Sequence, residues 1–88
     1  MIYIQKNFEH VLGIDGDKVV AEVKDENKNG QLWIKGKETD EGYFTLKNFE
    51  SSKFLECDWP RTAPRLPQGQ DWTLTMVIRG DYKFLFPL

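Results

Sequence analysis

An all-β, antiparallel fold is what this sequence predicts, and three observations carry the expectation. The apolar runs are short, rich in β-branched and aromatic residues, and separated by Gly, Asn and Asp clusters, the punctuation of strands and turns. Six Phe, three Tyr and three Trp in 88 residues supply a core built on rings, which suit a pleated surface. No segment shows the three-and-four spacing of an amphipathic helix. A chain of this length makes one domain, 1–88, with little stability to spare.

The chain also echoes itself. Gln31-Leu32-Trp33 returns as Gln70-Asp71-Trp72, and Lys6-Asn7-Phe8-Glu9 returns as Lys47-Asn48-Phe49-Glu50. Both offsets are close to about 40 residues, the period of a repeated supersecondary unit. Repeat one then covers about 1–40, repeat two about 41–79, and 80–88 begins a third set of strands.

In chain order, Ile2-Tyr3-Ile4-Gln5 and His10-Val11-Leu12-Gly13-Ile14 read as two strands joined by a polar connection. Asp15-Gly16 then predicts a tight type I′ hairpin into Lys18–Val23, because glycine adopts the positive φ that turn requires. Residues 24–30 form a polar loop ending in Asn29-Gly30, a turn pair ahead of a fourth strand, 31–35. Tyr43-Phe44-Thr45-Leu46 alternates so that Phe44 and Leu46 share a face, and Lys53–Cys57 is the next strand. Prolines 60, 64 and 67 then fall where repeat one has its Val-rich strand, so that strand is expected to be lost or shortened. Gln70–Ile78 resumes the alternation, with Trp72, Leu74, Met76 and Ile78 on one face. Arg79-Gly80-Asp81 spells an adhesion tripeptide but reads as an ordinary turn before the last strand, Tyr82–Phe86.

Charge and side-chain chemistry narrow the function classes. Fourteen acids against twelve bases give a net charge of −2 with no basic block, which is no footprint for nucleic acid or for a membrane surface. A single Cys57 and a single His10 offer neither a disulfide framework nor a metal cluster, so no cofactor or metal is expected. Acidic neighbours Glu56 and Asp58 raise rather than lower a thiol's pKa, so Cys57 is a poor nucleophile and no enzyme is expected. The N-terminus lacks the apolar core of a signal peptide, and no run is long enough to span a bilayer. A cytoplasmic location is the expectation.

The paired Gln-x-Trp triplets, the repeat period and the phrase 46–56 resemble the ricin-B-type β-trefoil lectin repeat over most of the chain. The resemblance implies an incomplete β-trefoil of about two repeats; a small closed β-barrel is the alternative. It further implies a non-catalytic, lectin-like carbohydrate-binding module. Asp15 takes the place of the family's sugar-binding acid, and Glu56 is its longer counterpart. Asn29 and Gln31 complete the first candidate ligand site, and Glu56, Asp58, Trp59 and Gln70 form a second. Two features depart from the family: the third strand offers Val19, Val20, Ala21 and Val23 in place of a stacking ring, and glycines 30 and 69 stand where an Asn precedes Gln-x-Trp. The residues by themselves also give Trp33 and Gln31 a plainer role, a core ring and a buried amide bonded to backbone.

A second function is carried by a different stretch. Arg61-Thr62-Ala63-Pro64-Arg65-Leu66-Pro67 matches the Arg-x-x-Pro-x-x-Pro pattern of polyproline II ligands, with Arg61, Pro64, Arg65 and Pro67 as candidate protein-binding residues. The alternative function is therefore a protein-interaction or inhibitory module presenting loop 59–69. The strands visible in the sequence fall short of a three-fold trefoil, which predicts that the open side is covered. A homodimer through 82–88 is the expected way, since that run is apolar.

Overall fold

Eight strands and no α-helix occur among the described residues of the computed structural model, which are 1–57, 65–66, 76–78, 80 and 83–87. The longest ladder joins β1 (His10–Asp15) to β2 (Lys18–Val23), from His10 opposite Val23 to Asp15 opposite Lys18. Asp15 is drawn into this ladder, so the turn is centred on Gly16-Asp17, and only Gly16 has positive φ, 62°. Glycine at the first central position belongs to a type II′ turn; the type I′ turn expected of Asp15-Gly16 is not formed. The loop after β2 closes as one 3-10 turn at Asn29–Gln31, so the Asn29-Gly30 pair serves a helical turn instead of a hairpin.

The remaining strands pair over long sequence distances. β3 (Trp33–Lys35) pairs with β5 (Leu46–Asn48), β4 (Tyr43–Phe44) with β8 (Phe86–Pro87), and β6 (Leu55–Cys57) with β7 (Met76–Ile78), all antiparallel. Single bridges link these pairs. Ile2 bridges to Trp33 and Gln5 to Val11, so residues 2–5, expected as a strand, lie between β1 and β3 held by isolated bridges. Lys47 bridges to Phe54, which carries the order on from β5 towards β6. The result is a curved ribbon: β2, β1, residues 2–5, β3, β5, β6, β7. Its ends, β2 and β7, touch, yet among the described residues no ladder joins them. The small closed barrel is therefore not formed. Closure needs one register carried round the sheet, and ladders two or three residues long, linked by single bridges, do not carry it. The antiparallel all-β expectation is met by these strands, which do not establish a trefoil.

Ile4, Leu12, Trp33, Phe44, Leu46, Leu55, Cys57, Leu66, Ile78, Phe84 and Phe86 form the core. Phe44 and Leu46 are buried together, as their alternation predicts. Phe84 meets Phe86 edge-on at 5.1 Å between centroids, and Phe44 lies 6.4 Å from Phe86. Pairing of β8 with β4 thus takes the C-terminal run, expected to join two copies, into the core of a single chain.

Candidate functional site

The repeated Lys-Asn-Phe-Glu phrase folds the same way twice. Asn7 Oδ1 accepts the Glu9 and His10 amides at 3.2 and 3.1 Å, and Asn48 Oδ1 accepts the Glu50 and Ser51 amides, both at 3.0 Å. In each case an Asn side chain replaces a backbone acceptor and folds the chain over itself. The phenylalanine that follows is left pointing outward: Phe8 is 93% exposed and Phe49 41%. Asn48 alone goes further, burying completely and donating Nδ2 to the Gly30 carbonyl at 2.9 Å.

Gln31 and Trp33 have the plainer of their two roles. Gln31 is fully buried; its Oε1 accepts the Asp25 amide at 2.8 Å, and its Nε2 donates to Glu22 Oε1 at 2.9 Å and to the Val23 carbonyl at 3.0 Å. All of this ties the 24–30 loop to β2. Trp33, also fully buried, donates Nε1 to the Leu12 carbonyl at 3.0 Å, which locks β3 onto β1. Glu56 is buried within β6, and Asp15 lies exposed at the tip of β1. Asn29 lines a polar concavity of about 340 Å³ together with Ile14, Glu22, Asn27, Lys28, Gly30 and Glu50. Of the first candidate set, then, Asn29 faces that concavity and Gln31 is committed to the loop beside it, while Asp15 is not part of its lining. Asp58, Trp59 and Gln70, like Arg61, Pro64 and Pro67, lie outside the described residues. Arg65 is described: it pairs with Glu41, its guanidinium lies 5.2 Å from the Tyr43 ring, and its backbone bridges in parallel to Leu85.

A sheet face singled out by no sequence motif has the most distinctive composition. Because Trp33 and Asn48 are opposite and both point inward, their neighbours along each strand point outward. The bridge of Ile2 to Trp33 and that of Lys47 to Phe54 extend the same parity to the flanking segments. Met1, Tyr3, Leu32, Ile34, Lys47, Phe49 and Phe54 consequently share one outer face. Met1 is 70% exposed, Ile34 and Phe49 are 41% exposed, and Tyr3, Leu32 and Phe54 are half-buried. A one-sided antiparallel sheet normally turns polar residues to this side. The trace in the sequence is Leu32-Trp33-Ile34, an unbroken apolar run through a strand whose other face is already buried by Trp33.

Three ammonium groups border this face. Lys24 Nζ lies 4.4 Å from the Tyr3 ring centroid, and Lys47 and Lys83 lie 5.8 and 5.7 Å from that of Phe54. Beside Tyr3 a second concavity, of about 260 Å³, opens between Phe8, Gln5, Asn7, Glu9, Val11 and Lys24. Cys57 is buried, and the loss of hydration pushes its thiol up to about 11. Among the described residues no three His, Cys, Asp or Glu side chains gather where they could hold a metal ion. No helix among them is long and apolar enough to cross a membrane. No protein family model, no curated protein and no solved structure matches this chain.

Proposed function

We propose that this chain is a non-catalytic protein-interaction module whose working surface is the outer face of residues 1–3, β3, β5 and Phe54. The observation that carries the reading is the row Met1, Ile34, Phe49 with Leu32, Tyr3 and Phe54 between them, apolar on the side of the sheet that faces water. A contiguous apolar patch on a soluble domain is costly to keep, and interfaces are where such patches are used. Phe8, on the first Lys-Asn-Phe-Glu turn and beside Tyr3 in the second concavity, extends that surface with a freely presented ring. A sugar site needs an apolar platform beneath convergent polar groups, and the larger concavity is lined by polar side chains with Ile14 as its apolar contribution. The carbohydrate site expected at Asp15, Asn29 and Gln31 therefore has no ring among the described residues to serve as its platform in that concavity.

Site-specific photocrosslinking tests the proposal. A crosslinker placed at Ile34 or Phe49 is expected to capture the same protein in the source cells, in a form competed by added unlabelled chain. One placed at Lys18 or Glu26, both exposed away from that face, is expected not to capture it. Equal capture from all four positions, or saturable glycan binding lost on Asn29→Ala and retained on Ile34→Asp, overturns the reading.

A further inference from the structure

Resting on that proposed interaction role, we infer that the outer face takes a polypeptide segment in which apolar residues are flanked on both sides by carboxylates. The argument is the segregation of charge. In a chain of net charge −2, most cations should find an acid nearby. Lys28 pairs with Glu22 at 3.8 Å, Lys35 with Glu38 at 2.7 Å, Lys53 with Asp17 at 2.6 Å, and Arg65 with Glu41. None of these four borders the apolar face. Lys24, Lys47 and Lys83 do border it, and among the described residues none of the three is paired with a carboxylate; Lys18 and Lys37 are likewise without an ion pair, but only the three at this face lie over its aromatic rings. Of the acids near them, Asp25 accepts the Asn27 amide, Glu22 is bonded to Gln31 and Lys28, and Glu50 is turned towards Gly30; Glu9 lines the concavity beside Tyr3 together with Lys24 but forms no ion pair with it. An ammonium held over a ring keeps its charge and its capacity to donate, so the rim is positive where the centre is apolar. Complementarity at interfaces matches such a rim with acids.

The spacing follows from the sheet. Tyr3 and Phe54 sit on the two sides of β3 and β5, three strand separations apart, about 14 Å at about 4.8 Å per separation. A segment crossing the strands in extended form covers that distance in about four to five residues. The fitting ligand therefore carries Asp or Glu about four to five positions apart with Leu, Ile, Phe or Val between. A polypeptide is favoured over an anionic bilayer for two reasons. Ile34 and Phe49 at its centre are only 41% exposed, so little of them is free to enter a hydrocarbon layer as the apolar side of an amphipathic helix does. Three lysines also fall below the clusters of roughly four to eight that read as lipid-binding.

The test titrates the intact, isotope-labelled protein with three nine-residue peptides that share a Leu-Phe-Leu centre and carry Glu, Ser or Lys on both flanks. Phosphatidylserine vesicles form a fourth arm. The Glu-flanked peptide is expected to shift the amides of Tyr3, Ile34 and Phe49 and to bind about tenfold more tightly than the Ser-flanked one, the advantage falling with added salt. The triple variant Lys24→Gln, Lys47→Gln, Lys83→Gln, at surface positions that leave the core intact, should erase the difference between Glu and Ser flanks. Equal binding of all three peptides, tighter binding of the Lys-flanked one, or no shift with any peptide at millimolar concentration overturns the inference. Vesicle binding that shifts the same amides while the peptides do not also overturns it, as does self-association through this face that excludes the Glu-flanked peptide. Partner capture from Ile34 and Phe49 is measured separately, so loss of the charge pattern with capture retained is distinguishable from failure of the interaction role.

Discussion

Replacing Asn48 with alanine isolates what burial adds to a hydrogen-bonding motif, because the same motif stands exposed at Asn7. Asn48→Ala removes the two amide bonds accepted from Glu50 and Ser51 and the one donated to the Gly30 carbonyl. Water can reach the turn amides, since Glu50 is exposed and Ser51 half-buried, so those two bonds cost about 0.5–1 kcal/mol each. Gly30 is buried, and stranding its carbonyl adds about 1–3 kcal/mol, for a total of about 2–5 kcal/mol. Asn7→Ala breaks the corresponding bonds to the Glu9 and His10 amides and the 2.9 Å contact with His10 Nδ1, in a turn where Asn7, Phe8 and Glu9 are exposed and His10 half-buried; water replaces the lost acceptor, and the change should cost about 0.5–1 kcal/mol. Urea unfolding measures both. For a domain of this size the slope is about 1 kcal/mol per molar, so the midpoint should fall by about 2–5 M for Asn48→Ala and by less than about 1 M for Asn7→Ala. Asn48→Asp, which keeps an acceptor for the turn but sets an oxygen against the Gly30 carbonyl, should sit with the alanine variant at neutral pH. Equal midpoint shifts for Asn7→Ala and Asn48→Ala would refute the argument, because they would show that the turn alone sets the cost.

Three further outcomes are expected. The Cys57 thiol stands at about 11 in the fold against a reference of 9.0, so the unfolded chain loses its proton first; stability from this group is complete below about pH 9 and declines through pH 11, by at most about 3 kcal/mol. Chemical denaturation across pH 8–11 should show that decline in the native chain and a shallower one in Cys57→Ala. Ser52 has φ 61°, in the left-handed region, so Ser52→Gly should raise the thermal midpoint by relieving up to about 1 kcal/mol of strain, whereas a drop would mean the hydroxyl has a role of its own. Lys53 Nζ donates to Asp17 Oδ1 at 2.6 Å and holds the Asp17 carboxyl below its usual value of 3.8. A lowered carboxyl stabilises the fold above its unfolded pKa and loses that contribution as pH falls through the folded one, so Asp17→Asn should lower neutral stability slightly, as for an exposed ion pair, and flatten acid unfolding below about pH 4 by the same amount.

What the sequence determined is local. Short runs with Gly, Asn and Asp between them made antiparallel strands, because turn chemistry and period-two alternation act within a few residues. The duplicated Lys-Asn-Phe-Glu phrase likewise made the same Asn-capped turn twice, since every bond in that motif lies within three positions of the Asn. The buried roles of Gln31 and Trp33 were legible too, as an amide and a ring, although Gln31 lies in the 3-10 turn and the strand expected over 31–35 begins only at Trp33. Tertiary structure decided what depends on contacts between distant residues. The Asp15-Gly16 pair specified a tight turn, but the ladder pairing Asp15 with Lys18 shifted its centre by one residue and changed its type. Phe84 and Phe86 looked like an uncovered apolar patch in sequence, and only the return of β8 to β4, some forty residues away, put them in the core. The outer face became visible last. Its members come from residues 1–3, 32–34, 47–49 and 54, and nothing in any one of those stretches states that the others lie beside it; strand pairing supplies that, through the inward commitment of Trp33 and Asn48 that turns their neighbours to the water.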